Sequence, residues 1–176
     1  MKIAVGLPAF NEEKNIASII SKIGKITDTI IVCNDGSLDL TGEIASKMGA
    51  IVVTHDKNLG YGAAIKSLFL KSKELGVDVL VTFDADGQHN VNDIENVVKP
   101  ILDDKADLVI GSRFLDNSKG NVPSYRKTGI KIITKLTNIS LKEKISDSQS
   151  GFRSYSKDVL SKIIPLIMAW EFQVKS

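Results

Sequence analysis

Two aspartates, Asp84 and Asp86, stand one residue apart directly after an apolar run of strand-forming residues, Val79–Phe83. In an extended segment, side chains two residues apart share a face, so both carboxylates point the same way. Two such carboxylates repel each other unless a cation lies between them, and Mg²⁺ takes one or two carboxylates together with substrate phosphates. The pair therefore predicts a metal site for a phosphorylated ligand, although an Asp-Gly turn that closes a strand would use the same residues.

Each of the first five predicted strands is followed by polar or glycine residues that suit a polar ligand. These segments are Pro8–Glu13, Asn34–Ser37, His55–Gly62, Asp84–His89 and Gly111–Arg113. Taken singly, each is explained as well by a helix cap, a turn or a surface charge. The carboxyl ends of parallel strands meet at one edge of a sheet, where α/β proteins bind their ligands. The set therefore predicts one binding site at that edge.

The elements that must position these loops alternate along most of the chain. The predicted strands are Lys2–Leu7, Thr29–Cys33, Ala50–Thr54, a strand from Val79 to the aspartates, Leu108–Ser112 and, later, Gly151–Tyr155. The predicted helices are Asn15–Ile26, Leu40–Met48, Tyr61–Leu75, Asn92–Asp103 with Asn90 or Asn92 as its N-cap, Ser124–Leu141, and Lys157–Ile164 begun by Ser156. This order predicts an α/β fold, with a mainly parallel sheet and helices on both faces.

Composition narrows the class of protein. The chain has 176 residues, enough for one domain with a core, and its net charge of +2 predicts no nucleic-acid partner. Cys33 is the only cysteine, which excludes a disulfide framework and fits a reducing, cytoplasmic compartment. Met1 leads directly into a strand and no apolar run approaches about 18 residues, so we expect neither a signal peptide nor a membrane span. Oligomeric state is left open.

Several common site motifs are missing from the sequence. There is neither a Gly-x-x-x-x-Gly-Lys-Ser/Thr loop nor a Gly-x-Gly-x-x-Gly after the first strand, which excludes P-loop and dinucleotide-binding proteins. Pro8-Ala9-Phe10 stands where a paired-aspartate phosphohydrolase would carry its nucleophile. With only His55 and His89 available, no Ser-His-Asp arrangement is favoured. His89 could contact a phosphate, but a solvent-facing loop position is the simpler interpretation.

As an ordered set, the loops resemble family 2 glycosyltransferases, in the branch of the dolichol-phosphate mannosyltransferases and other polyprenyl-phosphate sugar synthases. The resemblance lies in Pro8–Glu13, Asn34–Asp39, Asn58–Ala64, Asp84–His89, Gly111–Arg113 and Asp147–Arg153. The chain departs from the family at Asn34, where an aspartate is usual, and at Tyr61, where a lysine is usual. Family members also continue beyond Ser176, so we expect this chain to be a GT-A catalytic domain that lacks its C-terminal end.

The resemblance implies an inverting transfer of a hexose from a UDP or GDP sugar, with Mg²⁺ or Mn²⁺ as cofactor. It assigns the metal to Asp84, Asp86 and Gln88. It assigns the nucleotide sugar to Pro8, Ala9, Asn11, Glu12, Asp35, Gly36, Asn58, Gly60, Asp84, Ala85 and Gln88. It assigns catalysis to Asp86, Arg113 and Asp147, and the acceptor to Arg126, Lys127, Lys131, Ser150 and Arg153. Asp35 suits an imide N–H of uracil or guanine, because a carboxylate accepts that proton.

The predicted helix Ser124–Leu141 carries Lys127, Lys131 and Lys135 at four-residue intervals, which places them on one face. A basic amphipathic helix is attracted to an anionic membrane surface, although an ordinary helix with lysines in water shows the same pattern. Together with the resemblance, the pattern predicts a polyprenyl phosphate acceptor and a peripheral enzyme on the cytoplasmic face of a membrane.

Two other function classes remain open at the level of sequence. One is a metal-dependent sugar nucleotidyltransferase. A basic, glycine-rich loop after the first strand would favour that class, and Pro8–Glu13 is not such a loop. The other is a non-catalytic nucleotide-binding domain, which nucleotide binding without sugar turnover would distinguish from a transferase.

Overall fold

The computed structural model describes residues 1–85, 90–111 and 150–174. The strands are β1 (Ile3–Ala9), β2 (Ile30–Asn34), β3 (Ile51–Thr54), β4 (Val79–Thr82), β5 (Leu108–Ile110) and β6 (Arg153–Ser156). The helices are α1 (Ile16–Ile23), α2 (Thr41–Lys47), α3 (Tyr61–Glu74), α4 (Ile94–Leu102), preceded by the 3₁₀ turn Val91–Asp93, and α5 (Lys157–Val174).

The six strands form one sheet in the order β3-β2-β1-β4-β6-β5. Strand β1 pairs in parallel with β2 and with β4, and β2 pairs in parallel with β3. This confirms the predicted mainly parallel sheet. The sequence did not predict that β6 would pair antiparallel with both β4 and β5, and so separate these two strands.

The core lies on both faces of the sheet, because side chains alternate along each strand. Val5 and Leu7 of β1 pack with the apolar sides of α1 and α4 on one face. Ala4 of the same strand packs with Leu68 of α3 and Leu160 of α5 on the other. All residues of β2 and β4 are buried, as expected for central parallel strands covered on both sides.

Two predicted helix starts are confirmed by their hydrogen bonds. The Asn90 side chain accepts the Asn92 N–H at 3.1 Å, and the Ser156 hydroxyl accepts the Val159 N–H at 3.2 Å. The predicted end of the last helix at Ile164 is wrong, since α5 continues to Val174. Pro165 removes one helical hydrogen bond without ending the helix, and the residues that follow it include good helix formers.

No helix among the described residues is long and apolar enough to cross a membrane. The predicted helix Ser124–Leu141 lies outside the described part of the chain.

Candidate active site at the carboxyl edge of the sheet

The strand order places a switch point at the carboxyl ends of β1 and β4. The chain crosses from β1 to β2 on one side of β1 and, after β3, reaches β4 on its other side, so the strand order reverses at β1. In open α/β sheets, ligands bind in the crevice at such a switch point. The loop after β1 and the aspartate after β4 flank it, which is where the sequence predicted the site.

The loops that follow β1 and β2 are joined by hydrogen bonds around Asn11. This residue adopts a left-handed backbone conformation, with a φ of 55°. Its N–H donates to the Ser37 hydroxyl at 3.0 Å, and its side-chain oxygen accepts the Leu38 N–H at 2.9 Å. The Glu12 N–H donates to the Thr41 hydroxyl at 2.7 Å. Asn11 and Glu12 therefore fix one wall of the crevice, and their contact with a nucleotide stays a prediction.

Gly36 allows the loops after β2 and β3 to touch. Its φ is +69°, and a Cβ atom there would overlap the backbone of Lys57 and Asn58. Only glycine fits this combination of left-handed backbone and close approach.

The Asp35 carboxylate is a buried hydrogen-bond acceptor beneath these loops. Its Oδ1 accepts His55 Nδ1–H at 2.6 Å and the Leu59 N–H at 2.9 Å, and its Oδ2 accepts the Gly60 N–H at 2.8 Å. Burial by itself raises the pKa of Asp35, but the hydrogen bonds from Leu59, His55 and Gly60 outweigh it and leave the pKa below the ordinary value of 3.8. Asp35 is therefore ionised at neutral pH.

His55 is a site residue for which the sequence predicted no role. Its Nε2 lies 2.8 Å from the Ser67 hydroxyl and 3.7 Å from the Cys33 sulfur, and its side chain is only 10% exposed. No local sequence signal marks it, because its role depends on the strand register. The register pairs Asn34 with Thr54, so the residues that follow these two, Asp35 and His55, are neighbours.

Cys33 is not a nucleophile in this network. Burial, with the negative charge of Asp35 adding to it, raises the pKa of the Cys33 thiol to about 11. The thiol therefore stays protonated at neutral pH and packs as a small apolar group.

Asp84 lies at the end of β4 with its carboxylate against two other elements. The Tyr61 hydroxyl, at the start of α3, donates to Asp84 Oδ1 at 3.3 Å. Gly151 touches the same carboxylate, and a Cβ atom at Gly151 would overlap Asp84 and the Tyr61 hydroxyl. Burial and the charge of Asp84 raise the pKa of Tyr61 above its ordinary value of 10.0. Tyr61 therefore remains protonated and acts as a donor.

The carboxylate of Asp84 is the hard oxygen ligand that Mg²⁺ and Mn²⁺ prefer. Among the residues that the structure describes, no group of three or more His, Cys, Asp or Glu side chains could hold a metal ion. The other predicted ligands, Asp86 and Gln88, lie outside this part of the chain. Asp84 thus fits a metal site to which further ligands, or substrate phosphates, must contribute.

Arg153 brings positive charge to the same edge of the sheet. It opens β6 opposite Thr82 of β4, and its Nε donates to the Ser150 carbonyl oxygen at 2.8 Å. Ser150 itself is only 1% exposed, and its hydroxyl accepts the Phe152 N–H at 3.3 Å. Ser150 therefore supports the turn before β6, and its contact with an acceptor stays a prediction.

The fold thus gathers many of the predicted site residues at one edge. Those at the edge are Pro8, Ala9, Asn11, Glu12, Asp35, Gly36, Asn58, Gly60, Asp84, Ala85, Ser150 and Arg153. Those outside the described residues are Asp86, Gln88, Arg113, Arg126, Lys127, Lys131 and Asp147.

The fold can be assigned by comparison with solved structures. The fold is that of the GT-A glycosyltransferases. A crystal structure of glucosyl-3-phosphoglycerate synthase from Mycobacterium tuberculosis, in complex with Mn²⁺, UDP and glucosyl-3-phosphoglycerate, matches with a TM-score of 0.70 and 24% identity. That match covers 89% of this chain and 57% of that protein, so the chain spans little more than half of this structural neighbour.

The family follows from the sequence. The model of glycosyl transferase family 2 matches residues 4–164, and the chain belongs to that family. The UDP-N-acetylglucosamine–dolichyl-phosphate N-acetylglucosaminyltransferase of Methanococcus voltae is 34% identical over 97% of this chain and 75% of its own length. The dolichol-phosphate mannosyltransferase of Pyrococcus furiosus is 32% identical over 93% of this chain and 48% of its own length. The resemblance inferred from the loops is thereby confirmed.

Proposed function

We propose that residues 1–176 form one GT-A catalytic domain that transfers a hexose, with inversion, from a UDP or GDP sugar to a polyprenyl phosphate. In this reaction the bond from the anomeric carbon to the nucleoside diphosphate breaks. A new bond forms from that carbon to an oxygen of the lipid phosphate. The nucleoside diphosphate leaves with the bonding electron pair.

The observation that carries the proposal is the position of two carboxylates at the switch point of the sheet. Asp35 follows β2 and Asp84 follows β4, on opposite sides of β1. A nucleotide sugar in the crevice can therefore place its base toward Asp35 and its diphosphate toward Asp84. The relatives named for dolichyl phosphate support the choice of acceptor.

Asp35 suits base recognition because one of its acceptor positions remains. An ionised carboxylate accepts about four hydrogen bonds, and donors on Leu59, Gly60 and His55 fill two positions on Oδ1 and one on Oδ2. The remaining position on Oδ2 fits a single imide N–H. Uracil and guanine each present one, whereas cytosine and adenine do not.

At the diphosphate, Asp84 would hold Mg²⁺ or Mn²⁺ together with Asp86 and Gln88. The bound ion would neutralise charge on the leaving group. Tyr61 donates to Asp84 and fixes the direction of its carboxylate. Arg153 and Arg113 supply guanidinium donors, whose forked geometry suits phosphate oxygens.

The acceptor side of the site rests on residues beyond the described part. The second pKa of a phosphate monoester is near 6, so a lipid phosphate already carries a nucleophilic oxygen at neutral pH. We therefore assign Asp147 to orienting the acceptor more than to removing a proton. Arg126, Lys127 and Lys131 would attract the lipid phosphate, and would place the enzyme peripherally on the cytoplasmic face of a membrane.

A thermal-shift panel of UDP, GDP, CDP and ADP, each with and without Mg²⁺ or Mn²⁺, tests the proposal. A ligand at 100 times its Kd raises the unfolding temperature of a domain of this size by roughly 5–10 °C. We expect UDP or GDP to give such a shift only with the metal. Equal shifts for all four nucleotides, or none, would contradict the proposed donor site.

A further inference from the structure

We infer that His55 is a positioning residue for nucleotide recognition, acting through Asp35; the inference rests on the proposed function. Both ring nitrogens of His55 are engaged within the protein, Nδ1 at 2.6 Å from Asp35 Oδ1 and Nε2 at 2.8 Å from the Ser67 hydroxyl. Its effect on a nucleotide must therefore pass through the Asp35 carboxylate.

The proton on the His55 ring is fixed by its partners. Asp35 is ionised and can only accept, so Nδ1 carries the hydrogen that donates to Oδ1 over 2.6 Å. In a neutral ring Nε2 then has no hydrogen and accepts the Ser67 hydroxyl over 2.8 Å. The chain Ser67–His55–Asp35 thus has one direction of hydrogen bonding, and that direction orients the imidazole.

The same carboxylate organises the connection between β3 and α3. The N–H groups of Leu59 and Gly60 both donate to Asp35, and Gly60 lies in the left-handed region with a φ of 90°. Tyr61, the next residue, begins α3 and donates to Asp84. A rotation of Asp35 would therefore move its remaining acceptor position and the backbone that leads to Tyr61.

Without His55 Nδ1–H, one acceptor position on Oδ1 would open inside the protein. The carboxylate could then rotate, or accept water, in place of presenting Oδ2 to a base. A buried acceptor that loses a partner carries a large desolvation penalty. His55 therefore helps to hold Asp35 in the orientation in which Oδ1 accepts from His55 and Leu59, and Oδ2 accepts from Gly60 and keeps one acceptor position.

Two substitutions distinguish the role of Nδ1 from that of Nε2. His55→Asn places an amide nitrogen near the position of Nδ1 and retains a donor to Asp35. His55→Gln places its amide near Nε2, retains a partner for Ser67 and loses the donor to Asp35.

The first measurement is calorimetry of UDP, GDP, CDP and ADP binding to the wild type and these variants, with Mn²⁺ present. We expect His55→Gln to lower the preference for UDP over CDP, or for GDP over ADP, on the order of ten-fold. We expect His55→Asn to keep that preference within about three-fold of the wild type. An unchanged preference in His55→Gln, or an equal loss for all four nucleotides, would overturn the inference.

The second measurement does not depend on whether the His55→Gln variant folds. Nitrogen chemical shifts of the imidazole in the wild-type protein report which ring nitrogen is protonated, and the His55→Asn spectrum assigns the signal because the chain has two histidines. We expect His55 to be protonated at Nδ1; protonation at Nε2 alone would overturn the inference. If the wild type binds none of the four nucleotides, the proposed function fails instead, which is a separate outcome.

Discussion

At the scale of single residues, Asp84 is the group on which metal binding depends most directly. We expect Asp84→Asn to abolish metal-dependent nucleotide affinity and to leave the fold intact, because the half-buried side chain lies at the end of β4 rather than in the core. Calorimetry of UDP and GDP with and without Mn²⁺ measures this.

Asp103→Asn is the matched control, since this carboxylate pairs with Lys105 at the C-terminal end of α4, away from the crevice. We expect it to bind nucleotide as the wild type does. Ordinary metal dependence in Asp84→Asn would reject Asp84 as a ligand and leave it as a turn residue after β4.

Asp35 makes stability depend on pH in a defined direction. Its pKa is lower in the folded protein than its ordinary value of 3.8, so its contribution is complete above that value and is lost as the pH falls below it. We expect wild-type protein to be more stable than Asp35→Asn at pH 7 by about 1–3 kcal/mol. Thermal unfolding of both proteins from pH 7 to 3 should show the difference shrinking below about pH 4.

A difference in stability between the wild type and Asp35→Asn that stayed constant from pH 7 to 3 would contradict a lowered pKa for Asp35. The other acidic groups are common to both proteins, so their titration cancels in the comparison.

At the scale of secondary structure, Asp39 joins the start of α2 to the loop after β1. Its Oδ1 accepts the Thr41 N–H at 3.0 Å, and its Oδ2 accepts the Glu13 N–H at 3.1 Å. We expect Asp39→Ala to destabilise the protein by about 0.5–2 kcal/mol, because the N–H groups of Thr41 and Glu13 lose their acceptor. Urea unfolding of the variant measures the change.

Glu43→Ala is the control for that change, because Glu43 pairs with Lys47 on the exposed side of the same helix. An exposed pair of this kind contributes about 0–1 kcal/mol. If both variants lost the same stability, the role of Asp39 in joining α2 to the loop after β1 would be wrong.

Comparison of the predicted with the observed strands and helices shows which of them the sequence could predict. The apolar strands and the polar residues after them were predictable, because burial on both faces requires continuous apolar runs and loops require polar residues. The end of α5 was not, since Pro165 and the apolar run after it give opposing signals. The position of β6 was not either, because no local pattern in Arg153–Ser156 selects β4 and β5 as its partners.

Some residues of the candidate site were likewise predictable from the sequence, and others were not. Asp35 and Asp84 were predictable from their places after strands. The roles of His55 and Gly151 were not, because both depend on contacts between distant segments: His55 on the register of β2 and β3, and Gly151 on the approach of Asp84 and Tyr61. The burial of Ser150 was not predictable either, because a motif does not show which of its side chains the fold covers.

At the scale of the whole molecule, the proposed acceptor predicts attachment to membranes through charge. We expect sedimentation with vesicles that contain a polyprenyl phosphate, and we expect binding to weaken as salt rises, because salt screens exposed charges over about 10 Å at 0.1 M. A variant with Lys127→Glu and Lys131→Glu should bind less at every salt concentration. Vesicle binding that changed neither with salt nor with these two substitutions would contradict a role for Lys127 and Lys131.

The transfer reaction itself is the most direct test of the account. The measurement is incorporation of labelled hexose, from a set of UDP and GDP sugars with Mg²⁺ or Mn²⁺, into a polyprenyl phosphate, with Asp84→Asn and Asp147→Asn as controls. We predict metal-dependent transfer from one of these donors to the lipid phosphate, lost in Asp84→Asn and largely lost in Asp147→Asn. Transfer only to a soluble sugar or protein hydroxyl, with no response to the lipid phosphate, would contradict it.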